Sequence, residues 1–272
     1  MKATRLRIGK LVVDSVTFEQ ALAATIAMWK SGRGGSVFTP NVDHTVLVED
    51  NERFARAYER VGLSVADGMP ILWAARLLGH PLPEKVSGSD LVVPLVERAA
   101  ENGMRVYFLG AAEGIAARAA AILVERFPKL IVAGVESPRI NLTEERSKRA
   151  DILERLKAAK PDLVLVALGA PKQELWIDEV VDELAPAVFV GIGASLDFVA
   201  GSVRRAPPWM SNNGLEWMYR LGQEPKRLWR RYLLQDPKFA TIVLRTLRLP
   251  RSQRLVEQPS PSSNTSERSV TR

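Results

Sequence analysis

The sequence predicts an α/β protein with a Rossmann-like open parallel sheet covered by helices on both faces, followed by a basic helical C-terminal appendage. Two observations favour this fold class. Short unbroken apolar runs alternate with longer helical patterns between residues 37 and 190, as is typical of parallel strands buried on both faces. The charge is also divided: residues 1–200 carry a net −2, and residues 201–272 carry a net +9. This asymmetry favours an acidic partner for the C-terminal part, either nucleic acid or an anionic membrane surface.

Six apolar runs are short enough to be strands of one sheet. They are Ser36–Phe38, Leu63–Val65, Arg105–Leu109, Ile131–Val135, Asp162–Ala167 and Ala187–Val190. Helical patterns lie between and after them, at Asp43–Arg60, Pro70–Leu78, Asp90–Asn102, Glu113–Phe127, Thr143–Ala159 and Lys172–Leu184. A hairpin within Leu6–Asp14, turning at Gly9-Lys10, and a helix at Phe18–Lys30 are expected to precede the sheet.

Three regions are predicted along the chain. Residues 1–203 form the α/β domain, residues 204–256 form a basic, aromatic-rich helical appendage, and residues 257–272 form a Pro/Ser-rich disordered tail. Residues 226–254 contain nine Lys/Arg and one Asp/Glu, interleaved with large apolar groups. Phe239, Ile242, Val243 and Leu247 recur at helical spacing, which favours a helix lying on an anionic bilayer. The alternative is that Trp229 and its neighbours pack on the main domain.

Composition excludes several kinds of site. Because the chain has no cysteine, disulfides, thiolate catalysis and cysteine-ligated metals are excluded. With His44 and His80 as the only histidines, a histidine-rich metal site is not expected. The sequence has no apolar stretch of about 18 residues and no apolar segment of signal-peptide length at its N-terminus, so we expect a cytoplasmic protein.

Polar and glycine residues follow the predicted strands at the edge where ligands of open parallel sheets bind. They are Thr39, Asn41, Asp67, Gly110, Gly169, Gly191 and Gly193. Helix N-termini at this edge would present free N–H groups, which suits a phosphate. Each residue also has a structural explanation. Asn41 or Asp43 can cap the next helix, Asp67 can cap the helix at Pro70, and the glycines can serve as turns.

Seven motifs occur in a characteristic order. They are "TPNVDH" (39–44), "ADGMP" (66–70), "SGSDL" (87–91), "VYFLGAAEG" (106–114), "VALGAPKQELWI" (166–177), "GIGASLDFVAGSVRRAP" (191–207) and "GLEWMYRLGQEPKRLWRRY" (214–232). Together they resemble the WecG/TagA/CpsF family of bacterial glycosyltransferases over roughly residues 5–240. Leu196 stands where the family often has Phe, which we interpret as a packing variation.

The resemblance implies an inverting enzyme that moves N-acetylmannosamine or a related hexose derivative from a UDP-sugar to a polyprenyl-diphosphate-linked sugar. Undecaprenyl diphosphate is the expected lipid, and wall teichoic acid or another surface polysaccharide is the expected product. The enzyme would associate peripherally with the inner face of the cell membrane. A UDP-sugar, the lipid-linked acceptor and an anionic membrane surface are the expected partners, nucleic acid is not, and homo-oligomer formation is left open.

The resemblance also assigns roles to residues. Asp67 is the expected general base, and Thr39 and Asn41 line the sugar pocket. The residues themselves supply the expected substrate-binding groups, from the sheet edge and from the basic C-terminal segment. They are Gly110, Gly169, Gln173, Gly191, Gly193, Arg204, Arg205, Arg220 and Arg227. Because the sequence has no D-x-D pair, we expect no cofactor and no metal, and helix N-termini and arginines would stabilise the leaving UDP.

Two other functions are compatible with parts of the sequence. A basic nucleic-acid-binding α/β protein using residues 204–254 would explain the charge but not the polar sheet edge. A nicotinamide-dependent oxidoreductase is disfavoured, because Gly-Ala-Ala-Glu-Gly at 110–114 is not the G-x-G-x-x-G fingerprint.

Overall fold

The computed structural model describes residues 4–140, 150–207, 209–210, 214–223, 225–230 and 237–257. For seven of these residues only the backbone is described: Thr4, Glu216, Arg220, Arg227, Leu228, Arg230 and Glu257. The predicted helix start at Thr143 and the tail beyond residue 257 lie outside the described residues.

A six-stranded parallel sheet forms the centre of the protein. Its strands, in chain order, are β3 (Gly35–Phe38), β4 (Leu63–Ser64), β5 (Arg105–Gly110), β6 (Ile131–Glu136), β7 (Leu163–Ala167) and β8 (Val188–Gly191). Their order in the sheet is β4-β3-β8-β7-β5-β6, and every described pairing between them is parallel. All carboxyl ends therefore meet at one edge, with β3 and β8 as neighbours near its middle.

Nine helices belong to the described α/β part of the chain. They are α1 (Phe18–Lys30), α2 (Val42–Asp50), α3 (Glu52–Arg60), α4 (Met69–Leu77), α5 (Gly88–Glu101), α6 (Ile115–Arg126), α7 (Ala150–Ala159), α8 (Lys172–Val180) and α9 (Ser195–Val199). A 3₁₀ turn, Val181–Glu183, follows α8. The described helices of the C-terminal part are α10 (Glu216–Gln223), α11 (Pro225–Arg230), α12 (Lys238–Leu247) and α13 (Arg251–Arg254).

Except at the edge strand β6, where Ile131 and Val135 are exposed, the sheet is buried on both faces, as the unbroken apolar strands predict. In β7, Val164 and Val166 join the core with helices α2, α3, α4, α7, α8 and α12. Leu163 and Leu165 of the same strand join the opposite core with α1, α5, α6 and α9. Successive side chains of a strand point to opposite faces, so both sets must be apolar. The predicted fold class is therefore confirmed.

Most predicted elements are confirmed, with two differences. The predicted helix Asp43–Arg60 is two helices, because Asn51 ends α2 and its side chain accepts a hydrogen bond from Phe54 N at 3.0 Å to cap α3. The predicted helix Lys172–Leu184 tightens into a 3₁₀ turn after Val180. The N-terminal hairpin is present as β1 (Thr4–Ile8) and β2 (Leu11–Asp14).

The C-terminal part is anchored on this hairpin. A short strand that the sequence did not predict, β9 (Leu255–Glu257), pairs antiparallel with β1. The buried guanidinium of Arg254 donates hydrogen bonds to the carbonyl oxygens of Leu78, Leu247 and Leu249 at 3.0, 2.5 and 2.9 Å. These bonds join the ends of α4 and α12, because last-turn carbonyls lack partners within their own helices.

The membrane interpretation of α12 is corrected by its packing. Ile242 and Val243 are buried in the core beside α2 and β1, and Phe239 and Leu247 pack partly against the same core. The apolar face of this helix is therefore covered by protein and is not available to a bilayer. The division of the chain at residue 203 stays a prediction.

Candidate active site

Thr39 stands at the carboxyl end of β3, against the loop that follows β8. Its hydroxyl donates a 3.1 Å hydrogen bond to the carbonyl oxygen of Gly191, and the side chain is buried. The N-terminus of α5 approaches both groups. A Cβ atom at Gly88 would lie 3.3 Å from Thr39 Oγ1 and 3.2 Å from the carbonyl oxygen of Ile192. The β3 end, the α5 N-terminus and the β8 loop therefore form one continuous wall.

Asp67 lies next to this wall. Its backbone N–H donates a 2.8 Å hydrogen bond to the carbonyl oxygen of Pro40, and the backbone N–H of Val86 bonds to Ala66 O at 2.8 Å. These bonds place the half-buried Asp67 between the Thr39 segment and the start of α5. Gly68, with φ +118°, occupies the N-cap position of α4, so the alternative that Asp67 caps this helix is wrong.

Asn41 caps α2. Its side-chain oxygen accepts a 3.4 Å hydrogen bond from His44 N, and the hydroxyl of Thr45 donates to the Asn41 carbonyl at 3.1 Å. The structural explanation for Asn41 is thus confirmed, and its contact with a sugar stays a prediction.

Behind Asn41 lies a buried polar pair that sequence reasoning missed. His44 Nδ1 and Tyr58 Oη are 2.7 Å apart, and Tyr58 is fully buried against Phe38 and Phe54. Burial and then the carboxylates of Glu174, Asp43 and Asp67 raise the pKa of Tyr58 well above its usual range. The phenol is therefore neutral, and three acidic side chains lie around it.

Gln173 and Glu174 begin α8 and are buried side by side. Gln173 Nε2 donates to Glu174 Oε1 at 2.8 Å, and Gly193 N donates to Gln173 Oε1 at 2.9 Å. Gly191 is needed here, because a Cβ atom on it would overlap the amide nitrogen of Gln173 and lie 3.1 Å from the amide carbon. The structure therefore brings together four of the predicted residues: Thr39, Gln173, Gly191 and Gly193.

An ion pair joins the start of α5 to the C-terminal part. The guanidinium of Arg205 donates to Asp90 Oδ1 and, at 2.8 Å, to Ser89 Oγ, and it lies 5.7 Å from the centroid of the Phe198 ring. Burial acts to raise the pKa of Asp90, but hydrogen bonds from Ser87 and Arg205 outweigh it and hold the pKa below its usual value. Arg205 is thus held by a carboxylate at the rim of the wall.

The other predicted site residues lie farther out or are described only in part. Gly110 ends β5, two strands beyond β8, where a Cβ atom would lie 2.5 Å from Ala167 O. Gly169, with φ +72°, accepts the 3.0 Å hydrogen bond from Gln173 N that begins α8. Arg204 is exposed. The backbones of Arg220 and Arg227 belong to α10 and α11, and their side chains lie outside the described structure.

In the described part of the chain, no group of three or more His, Asp or Glu side chains is arranged to hold a metal ion. Metal independence stays a prediction. Over the same residues, no helix has both the length and the apolar composition required to cross a membrane.

The fold and the site define a class of α/β protein that binds small molecules at the carboxyl edge of its sheet, where this chain places a threonine, a carboxylate and a buried amide. The sequence comparisons name the family. The family model "Glycosyl transferase WecG/TagA/CpsF family" matches residues 6–253, so the chain belongs to this family of glycosyltransferases.

Three curated relatives carry the same name, N-acetylglucosaminyldiphosphoundecaprenol N-acetyl-beta-D-mannosaminyltransferase. The Bacillus spizizenii protein is 32% identical over 213 residues, which cover 78% of this chain and 80% of the relative. The Bacillus subtilis strain 168 protein is 32% identical over 66% of this chain and 67% of its own length. The Staphylococcus aureus strain MW2 protein is 29% identical over 71% of this chain and 74% of its own length.

Proposed function

We propose that this glycosyltransferase moves N-acetylmannosamine, or a related hexose derivative, from a UDP-sugar to a polyprenyl-diphosphate-linked sugar. The observation that carries the proposal is the position of Asp67 beside Thr39 and the start of α5, at the carboxyl edge of the sheet of a chain that belongs to a glycosyltransferase family. The names of the three relatives, which specify a lipid-diphosphate-linked acceptor and N-acetylmannosamine, support the choice of substrates.

In the proposed reaction, an acceptor hydroxyl attacks the anomeric carbon of the donor sugar. Asp67 takes the hydroxyl proton as the new C–O bond forms. The bond from the anomeric carbon to the UDP oxygen breaks, and UDP leaves with the electron pair. Direct displacement inverts the anomeric configuration, and the proton later passes from Asp67 to solvent.

The leaving diphosphate requires positive potential. Helix α5 spans Gly88–Glu101, and its N-terminus faces Thr39, so its free N–H groups and dipole are available at the pocket wall. Arg205 is already paired with Asp90, and this favours a role in shaping the rim. Arg204, Arg220 and Arg227 remain the candidates for direct contact with phosphate. We propose that no metal is needed.

We further propose that the enzyme works at the inner face of the cell membrane, where it meets the lipid-linked acceptor. The support comes from exposed aromatic groups of the C-terminal part: Trp209, Trp217 and Trp229 are 62%, 39% and 42% exposed. Tryptophan is favoured at membrane interfaces, and the nearby Lys/Arg residues are attracted to anionic lipids. Because α12 packs on the protein, α10 and α11 are the segments proposed to contact the bilayer.

The test is a transfer assay across a panel of UDP-sugars with a synthetic N-acetylglucosaminyl-diphosphate-lipid acceptor. We expect acceptor-dependent UDP release with UDP-N-acetylmannosamine and a product of one added sugar. UDP release that never depends on the acceptor would reject the proposal. Binding to anionic vesicles and to DNA at matched salt separates the membrane role from the nucleic-acid alternative.

A further inference from the structure

Glu174 is a buried acidic residue to which the proposed reaction gives no role. It belongs to the first turn of α8, its exposed fraction is 0%, and the adjacent Gln173 is 2% exposed. A glutamate is rarely buried so completely without a partner that compensates for its desolvation. The contacts of its two carboxyl oxygens therefore indicate what the residue does.

One oxygen begins a chain of hydrogen bonds that reaches the pocket wall. Glu174 Oε1 accepts from Gln173 Nε2 at 2.8 Å, and Gln173 Oε1 accepts from Gly193 N at 2.9 Å. Two residues before Gly193, the Gly191 carbonyl accepts from Thr39 Oγ1 at 3.1 Å. The β8 loop is thus held from one side by Gln173 and from the other by Thr39.

This chain of bonds fixes which way the Gln173 amide faces. A side-chain amide has a donor end and an acceptor end, and rotation by 180° exchanges them. The Gly193 N–H requires an acceptor, which is the Oε1 end of the Gln173 amide. The NH₂ end of the same amide also requires an acceptor, which is Glu174 Oε1. Without Glu174 the buried NH₂ group would lose its partner, and the flipped amide would present a donor to another donor at Gly193.

The second oxygen, Glu174 Oε2, is buried and has no hydrogen-bond partner among the described residues. Asp43 of α2 and Tyr58 of α3 are the titratable groups that act on this carboxyl, and His44 is bonded to Tyr58. The segments of β3 and β8 that pack on α8 contain no titratable residue. Burial, and to a smaller extent the negative charge of Asp43, raise the pKa of Glu174 to about 7, while hydrogen bonds from its own backbone N–H and from Gln173 oppose this. A proton on Oε2 leaves Oε1 free to accept, so the contact with Gln173 survives protonation.

We propose that Glu174 is a positioning residue of the transfer reaction, which fixes the Gln173 amide and through it the β8 loop against Thr39. The inference rests on the proposed function, because the loop matters to catalysis only if the sugar binds at this edge. Glu174 itself does not reach the substrate, since both of its oxygens are buried.

The experiment is a double-mutant cycle in the full-length protein. The variants are Glu174→Leu, Glu174→Gln, Gln173→Leu and the double variant Glu174→Leu/Gln173→Leu. Glu125→Gln, at an exposed glutamate of α6, is the matched control. kcat and KM for donor are measured well below each melting temperature, with the folded fraction checked by circular dichroism.

We expect Glu174→Leu to lower kcat/KM by about 10-fold to 100-fold, the loss that corresponds to one buried donor left without an acceptor. Glu174→Gln keeps an acceptor oxygen and should stay within about threefold of wild type. In the Gln173→Leu background, Glu174→Leu should lower kcat/KM by less than about a further twofold, because both residues act through one contact. If Glu174 acted independently of Gln173, Glu174→Leu would lower kcat/KM by the same factor in the wild type and in Gln173→Leu.

Three results would overturn the inference: full activity of Glu174→Leu, failure of Glu174→Gln to restore it, or independent factors in the cycle. If the wild-type enzyme transferred no sugar, the proposed function would fail instead, which separates the two claims. If the leucine variants do not fold, side-chain NMR of the wild type tests the contact between Gln173 and Glu174 instead. The Gln173 NH₂ protons should exchange much more slowly than those of an exposed glutamine such as Gln223, and equal exchange would refute the contact.

Discussion

Glu174→Gln should gain stability relative to the wild-type protein as the pH rises. The perturbation removes a charge and keeps the size of the side chain. Burial and Asp43 raise the pKa of Glu174 from 4.5 to about 7, so the folded protein holds this proton more tightly than the unfolded chain does. At about 1.36 kcal/mol per pKa unit, the ionised residue costs the folded state about 3 kcal/mol.

The direction in which the free energy of unfolding changes with pH follows from how many protons each state binds. Below pH 4.5 the carboxyl is protonated in both states, and it imposes no pH-dependent cost. Between pH 4.5 and about 7 the folded state binds more protons than the unfolded state, so its stability falls as pH rises. Above about pH 8 the cost is complete. Glutamine does not ionise, so the Glu174→Gln variant does not lose stability in this way as the pH rises.

Urea denaturation of wild type and Glu174→Gln between pH 4 and pH 9 provides the assay. The difference in unfolding free energy should rise by about 3 kcal/mol in favour of Glu174→Gln between pH 4.5 and pH 8. Exposed Glu125→Gln should track wild type within about 0.5 kcal/mol throughout. A difference that does not change with pH would show that Glu174 titrates normally and would refute the reasoning.

Four further predictions concern single residues or conditions. Asp67→Asn should keep the melting temperature and UDP binding but lower turnover by about 100-fold to 10,000-fold; near-normal turnover would remove Asp67 from the mechanism. Gly191→Ala should lower kcat by at least about tenfold, since its Cβ atom would displace the Gln173 amide from Gly193, and an unchanged kcat would contradict this contact. Arg254→Met should lower the unfolding free energy by about 2–4 kcal/mol, because three carbonyl oxygens lose a buried donor; an unchanged urea midpoint would count against the anchoring of α12 and β9. Activity should survive excess EDTA, and a loss that Mg²⁺ or Mn²⁺ restores would reveal a metal site.

The inner strands could be predicted because burial on both faces leaves an unbroken apolar run, which is the clearest strand signal in a sequence. The edge strand β6 is apolar as well, although Ile131 and Val135 are exposed. The meeting of Thr39, Asp67 and the Gly191 loop also followed from the sequence, since parallel strands end at one edge. The split at Asn51 was missed although the signal was present: Asn followed by Glu is a common helix start.

Other features depend on contacts that local sequence does not carry. Strand β9 has three residues and owes its existence to pairing with β1, at the other end of the chain. The spacing of Phe239, Ile242 and Val243 predicts an amphipathic helix but cannot say whether protein or lipid covers its apolar face. Glu174 stands in the first turn of α8, where acidic residues are usually exposed and favoured by the helix dipole, so its burial could not be predicted.

The central claim is that Asp67 is the base of an inverting sugar transfer at the carboxyl edge of the sheet. The most direct measurement is the product formed from UDP-N-acetylmannosamine and a lipid-diphosphate-linked N-acetylglucosamine, with its anomeric configuration determined by NMR. Wild type should yield one added sugar with inverted configuration, and folded Asp67→Asn should yield almost none. A product of retained configuration, or equal product from Asp67→Asn, would contradict the mechanism.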